Sequence, residues 1–132
     1  MNKQQIQQRV LQNGEPLPLD KFEWDENTKT FSTEKGNLVL DFKGISNVTF
    51  KTGSSCTFKT DSSCTFNTGS SCTFDIGEEC VVIRRDVYEV IEIPQGQKIK
   101  LNKNSVKGYT CSIGGYTISA DPDEEEEYKI TN

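Results

Sequence analysis

Between residues 38 and 85, apolar and polar positions alternate within a strict eight-residue period. Phe42, Phe50, Phe58, Phe66 and Phe74 stand eight apart, and Val82 continues the series. Two positions before each comes Leu40, Val48, Cys56, Cys64, Cys72 or Cys80. Apolar residues at every second position mark a half-buried strand, so each octad predicts one short strand with these two ranks facing inward. The residues between them, Asp41, Thr49, Thr57, Thr65 and Thr73, are predicted to face outward, as are Lys43, Lys51, Lys59, Asn67 and Asp75. Gly53, Asp61, Gly69 and Gly77 follow, residue types that accept positive φ. The Ser-Ser or Glu-Glu pairs after them suit turn amides, so every strand is predicted to end in a corner.

Six octads from about Leu38 to Arg85 therefore read as strand, corner, strand, corner. One octad supplies one side of a coil, not a whole coil. The period admits a single-chain solenoid of about two coils with three octads each, or about three coils with two octads each. It also admits an intertwined trimeric β-helix and an antiparallel meander. Identical corners lacking Asn-Gly or Asp-Gly pairs fit a meander poorly. The expected fold class is all-β, a short β-solenoid (β-helix) of octapeptide repeats.

The flanks read as ends for that stack. Residues 2–13, "NKQQIQQRVLQN", predict one amphipathic helix with Ile6, Val10 and Leu11 near one face, stopped by Asn13-Gly14. "KFEWDENTKTFST" predicts a hairpin around Asp25-Glu26-Asn27-Thr28, with Phe22, Trp24 and Phe31 as its apolar residues. Beyond Arg85, Val87, Val90, Ile93, Ile99 and Leu101 predict further strands, with a turn at Pro94-Gln95-Gly96. One domain is expected over residues 1–132: an N-terminal helix and hairpin cap (1–37), the octapeptide solenoid (38–85), a C-terminal β segment (86–120) and an acidic tail (121–132).

Composition fits a thin repeat fold, with 33% hydrophobic and 27% charged residues. The net charge of −5 comes from the tail, because Asp121, Asp123 and Glu124 to Glu127 hold six of the twenty acids. Residues 1–120 carry fourteen acidic and fourteen basic residues, so no basic stripe favours nucleic acid. "MNKQQIQQRV" lacks the apolar core of a secretory signal, and no run approaches a membrane span, which predicts a cytoplasmic protein without membrane contact. Four of the five cysteines share one rank of the repeat and are expected to be free, buried thiols.

Candidate chemistry is sparse. The chain has no histidine, which removes the commonest general base and the Ser-His and Cys-His nucleophile sets. Glu78-Glu79 occupies a corner whose sisters are Ser-Ser and reads as a solvated pair. Cysteines eight apart do not match the Cys-x-x-Cys spacing of zinc or iron–sulfur sites. The threonine rank resembles ice-binding arrays, yet successive octads face different directions, and threonine is a common outward strand residue. No catalytic residue, metal or cofactor is assigned, and the chain is expected not to be an enzyme.

The run "TFKTGSSCTFKTDSSCTFNTGSSCTF", with its lead-in "NLVLDFKGISNV", resembles octapeptide-repeat β-solenoid proteins of bacteriophages and Bacteroidetes-like genomes, mostly uncharacterised. It is more distantly similar to the octapeptide β-helices of contractile phage-tail spikes. The first resemblance implies a phage or mobile-element setting, in which a rigid, homo-oligomeric binding module regulates a host complex such as a defence nuclease. The alternative it implies is a virion decoration or fibre subunit. Arg84, Arg85, Tyr88 and Trp24 are the candidate partner-binding residues, since arginine and large aromatics anchor protein interfaces.

Overall fold

The computed structural model describes residues 1–93, 95–113, 116–120 and 128–131, the side chains of Gln97 and of residues 111–132 excepted. The repeat forms a single-chain β-solenoid with two octads per coil. One sheet stacks β4 (Thr30–Ser32), β6 (Thr49–Lys51), β8 (Thr65–Thr68) and β10 (Cys80–Arg84) in parallel. The facing sheet stacks β5 (Leu38–Phe42), β7 (Thr57–Thr60) and β9 (Thr73–Ile76). Thr49 pairs with Thr65 and Thr57 with Thr73, so true neighbours lie sixteen residues apart.

Each octad turns three side chains inward, one more than the sequence pattern identifies. Cys56, Phe58 and Thr60 are all buried, as are their equivalents Cys64, Phe66 and Thr68. Thr52, Thr60 and Thr68 satisfy their hydroxyls on the carbonyls of Gly53, Asp61 and Gly69, at 3.2, 3.3 and 3.1 Å, which lets the corner close over a polar atom. The core is a double file of rings. Phe50 stacks on Phe66 and Phe58 on Phe74, with centroids 5.2 and 5.0 Å apart, while rings of opposite sheets meet edge to face at 4.9–5.3 Å. Burying each phenylalanine contributes roughly 1.5–3 kcal/mol, and each well-placed ring pair about 0.5–1.5 kcal/mol more.

The corners differ from the sequence expectation. The left-handed residue is the second of each polar pair: Ser55, Ser63, Ser71 and Glu79 have φ of 56–60°, and Asn47 has 62°. The amides of Ser55 and Ser63 bond the adjacent coil at Ser70 O and Glu78 O, both 2.9 Å, and that of Ser71 bonds Asn102 O at 3.1 Å. The glycines are there for space instead. A Cβ on Gly77 would lie 2.7 Å from the Ser62 nitrogen, and one on Gly53 would lie 2.9 Å from the Lys35 carbonyl oxygen. The coils approach too closely at these points for any side chain.

Phe42 also departs from its place in the series. Leu40 pairs with Phe58, and Phe42 sits over Thr60, because the corner after β5 is two residues longer than later ones. The phenylalanine file of the other sheet starts instead at Phe31, paired with Phe50. The outward variation between octads also has a cause. Asp41, Lys59, Asp75 and Lys98 are successive cross-strand neighbours, so stacking of the strands places opposite charges side by side.

The N-terminal end is a cap, built differently from the reading of residues 2–13 as one helix. α1 spans only Lys3–Gln7, closed by a capping box between Asn2 and Gln5. The chain then forms β1 (Val10–Gln12), antiparallel to β5, and Asn13-Gly14 turns it into β2 (Glu15–Pro16). An unpaired β5 edge rewards strand over helix, and Asn13 and Gly14 at φ 53° and 81° make a tight hairpin turn. The predicted hairpin is present as β3 (Glu23–Asp25) against β4, with Asp25 Oδ1 accepting from the Asn27 amide at 2.9 Å. Its second strand is already the first rung of the solenoid.

At the other end, β11 (Glu89–Ile93) pairs antiparallel with β10, and β12 (Gln97–Leu101) adds antiparallel to β9. The sheet continues through β13 (Tyr109–Ile113), β14 (Tyr116–Ala120) and β15 (Tyr128–Thr131). Ile91, Ile93, Ile99 and Leu101 are buried, whereas Val90 is 63% exposed. The acidic run 121–127 lies outside the described residues.

Candidate functional site

The four candidate partner-binding residues occupy different environments. Arg84 holds the threonine rank of the last octad, paired with Thr68, and is completely buried. Its guanidinium grips both carboxylate oxygens of Asp86, at 3.2 and 2.7 Å, and lies 3.8 Å from Glu89. It also donates to the carbonyls of Lys103, Val106 and Gly108. Asp86 and Glu89 in turn accept from the amides of Ser105 and Gly108, at 3.1 and 3.0 Å. Arg84 therefore ties the β12–β13 loop across the end of the core and is withdrawn from any surface. Burial of a charge is tolerable here because every face of the fork is paired.

Arg85 faces outward but is engaged. It donates to the backbone and side-chain oxygens of Asn67, both at 3.0 Å, and to the Thr52 carbonyl, so it clamps three successive rungs of one sheet. Trp24 is half-buried, packs on Phe42 at 6.5 Å between centroids, and donates its indole N–H to the Met1 carbonyl at 3.0 Å. One edge of it lines an open groove with Glu23, Glu26 and Lys51.

Tyr88 is the outlier, 92% exposed and held at φ +52° in the turn between β10 and β11. A bulky residue in the left-handed region is uncommon and costs local strain. Beside it lies Val90, paired with the half-buried Ile83. Val90 is a surface residue that the sequence pattern did not single out. The signal for it is the strand "EVIEI", in which Ile91 and Ile93 already supply an inward alternation and leave Val90 on the other face.

Among the described residues, β11 is also the last strand of its sheet. Val81 and Arg85 donate to Cys64 and Thr68 of β8, so the backbone of Cys80, Val82 and Arg84 is turned toward β11. These residues pair with Ile93, Ile91 and Glu89. The N–H and C=O groups of Val90 and Glu92 are left facing away from the sheet, an edge that can accept a further strand.

Each cysteine of the repeat stands one rung from another. The Cys56 amide reaches the Cys72 sulfur at 3.4 Å, and all four thiols are free and buried. The hydrogen bond with Cys72 lowers Cys56 from 9.0 to about 7 against the opposing effect of burial, and the bond with Cys80 does the same to Cys64. The same bonds, with burial, raise Cys72 and Cys80. Among the described residues, no group of three or more acidic or thiol side chains is placed to hold a metal ion. No helix among them is long and apolar enough to cross a membrane. Comparison of the chain with protein-family models, with curated proteins and with solved structures finds no match in any of the three.

Proposed function

We infer that this chain is a non-enzymatic protein-binding module, a rigid solenoid that presents its β10–β11 end to a partner. The observation that carries this reading is Tyr88, 92% exposed on a strained turn beside the exposed Val90 and the free edge of β11. A soluble domain gains nothing in folding from holding a tyrosine in that position, whereas aromatic anchors are common at interface centres. Arg85 reaches away from the β11 edge toward Asn67 and the Thr52 carbonyl, and Trp24 lies in the N-terminal cap. The octapeptide repeat supports a phage or mobile-element setting and regulation of a host assembly such as a defence nuclease, with self-association as part of the design. The open edge equally suits the second reading, a subunit of a virion fibre or decoration, in which copies meet edge to edge.

The test is paired affinity capture with the wild-type chain and a Tyr88→Ser/Val90→Ser variant, alongside mass photometry of both. The expected result is a partner, or a homo-oligomer, retained by the wild type and lost by the variant with an unchanged circular dichroism spectrum. Equal retention by both chains removes the β10–β11 end from the proposal. Recovery of the chain's own copies alone, in a detergent-resistant assembly, favours the structural reading.

A further inference from the structure

The cysteines fall into two pairs that cross coil boundaries. Cys56 and Cys72 each stand one residue before the paired Thr57 and Thr73, so one lies directly over the other. Cys64 and Cys80 stand in the same relation to Thr65 and Val81 on the facing sheet. Rungs of a parallel sheet are about 4.8 Å apart, within the roughly 4.4–6.8 Å between Cα atoms that a disulfide spans. The sulfurs are directed toward shared points. Cys56 and Cys72 both donate to the Gly53 carbonyl, at 3.6 and 3.8 Å, and the Cys56 amide donates to the Cys72 sulfur. Cys80 donates to Asp61 O at 3.6 Å and Cys64 to Ser62 O at 3.6 Å, adjacent residues of one corner. Packing alone requires no sulfur at this rank, since Val48 fills it one coil above Cys64 and is equally buried.

We propose that Cys56–Cys72 and Cys64–Cys80 are disulfide-forming pairs that staple successive coils, one on each sheet, when a small-molecule disulfide of the glutathione type is present. In each pair, one thiolate attacks the small disulfide, whose S–S bond breaks to release one small thiol and leave a mixed disulfide. The neighbouring thiolate then attacks the protein-side sulfur and expels the second small thiol. Two protein thiols have lost two protons and two electrons, and the small disulfide has gained them. Because the sulfurs are buried, the first attack waits on local opening of a corner, so the reaction is slow in the native state and faster in urea below the unfolding transition. The two bridges together join the coils of β6–β7, β8–β9 and β10, and they act on the stack whatever it binds.

The experiment treats the folded full chain with oxidised glutathione, alkylates remaining thiols with iodoacetamide, and reads intact mass and linked peptides. The expected product has lost four hydrogens from Cys56, Cys64, Cys72 and Cys80, shows the links 56–72 and 64–80, and carries any alkyl or glutathionyl group on Cys111 alone. Its melting temperature is raised, and dithiothreitol reverses the rise. A Cys72→Ala chain is expected to lose two hydrogens and keep only the 64–80 link. Stable glutathione adducts on Cys56, Cys64, Cys72 or Cys80 of the wild-type chain, links between Cys56 and Cys64 or between Cys72 and Cys80, or five alkylatable thiols after incubation in sub-denaturing urea would each overturn the proposal.

Discussion

Phe50 and Phe66 lie face to face, 5.2 Å between centroids and 4° between ring planes, although sixteen residues separate them in the chain. Phe66 also meets Phe58 and Phe74 edge to face at 4.9 Å, so it has aromatic neighbours above and across. Phe66→Ala removes all three contacts and leaves a cavity where the coils cannot collapse. It is expected to destabilise the fold by about 3–5 kcal/mol in urea denaturation, with Phe66→Leu costing less than half of that. Equal costs for the two variants would mean that ring geometry, not volume, holds the stack.

Arg84 offers a second test, because its worth depends on completed pairing. Arg84→Met leaves Asp86 and Glu89 without their cation and the Val106 and Gly108 carbonyls without that donor. The expected loss is about 3–5 kcal/mol, with faster amide exchange in residues 103–108. Arg84→Lys is not expected to rescue it, since a single ammonium cannot reproduce a planar fork. Unchanged exchange in that loop would show that Arg84 does not hold it.

At the corners, glycine and the left-handed residue have separable roles. Gly77→Ala places a methyl group 2.7 Å from the Ser62 nitrogen and is expected to cost about 1–3 kcal/mol. Glu79→Gly, at φ 56°, relieves a conformation that costs an L-residue roughly 1–2 kcal/mol and is expected to be neutral or stabilising. Thermal melts of the two variants check both signs, and destabilisation by Glu79→Gly would reverse the assignment.

The thiol pairs make stability depend on pH in a defined sense. Cys56 is lowered to about 7 and Cys72 raised above its ordinary value of 9.0. Between 7 and 9 the folded pair holds one proton fewer than the unfolded pair, so stability rises with pH. Above 9 the unfolded pair loses both protons while the folded pair keeps one, and stability falls again. In reductant, the urea midpoint of the wild type relative to Cys56→Ala/Cys72→Ala is therefore expected to rise from about pH 6 to about pH 9 and to drop by about pH 10.5. A pH-independent difference between the two chains would remove this linkage.

The sequence by itself determined the repeat unit: a period of eight, inward Cys and Phe ranks, outward threonines, free buried thiols, a capped N-terminal end and an all-β solenoid. These are properties of side-chain alternation, which is local and therefore written in the order of residues. What only the tertiary structure decided is how octads meet. Two octads per coil bring Lys59 beside Asp75 and Cys56 over Cys72, contacts that no eight-residue comparison reveals. The longer corner after β5 moved Phe42 off its rung, and a bare β5 edge drew residues 10–12 into a strand where helix propensity had favoured continuation. Arg84 is the sharpest case. Its residue type suggests a surface anchor, but its position in the octad is the inward threonine rank, and burial followed because Asp86, Glu89 and the 103–108 loop converge on it from outside the repeat.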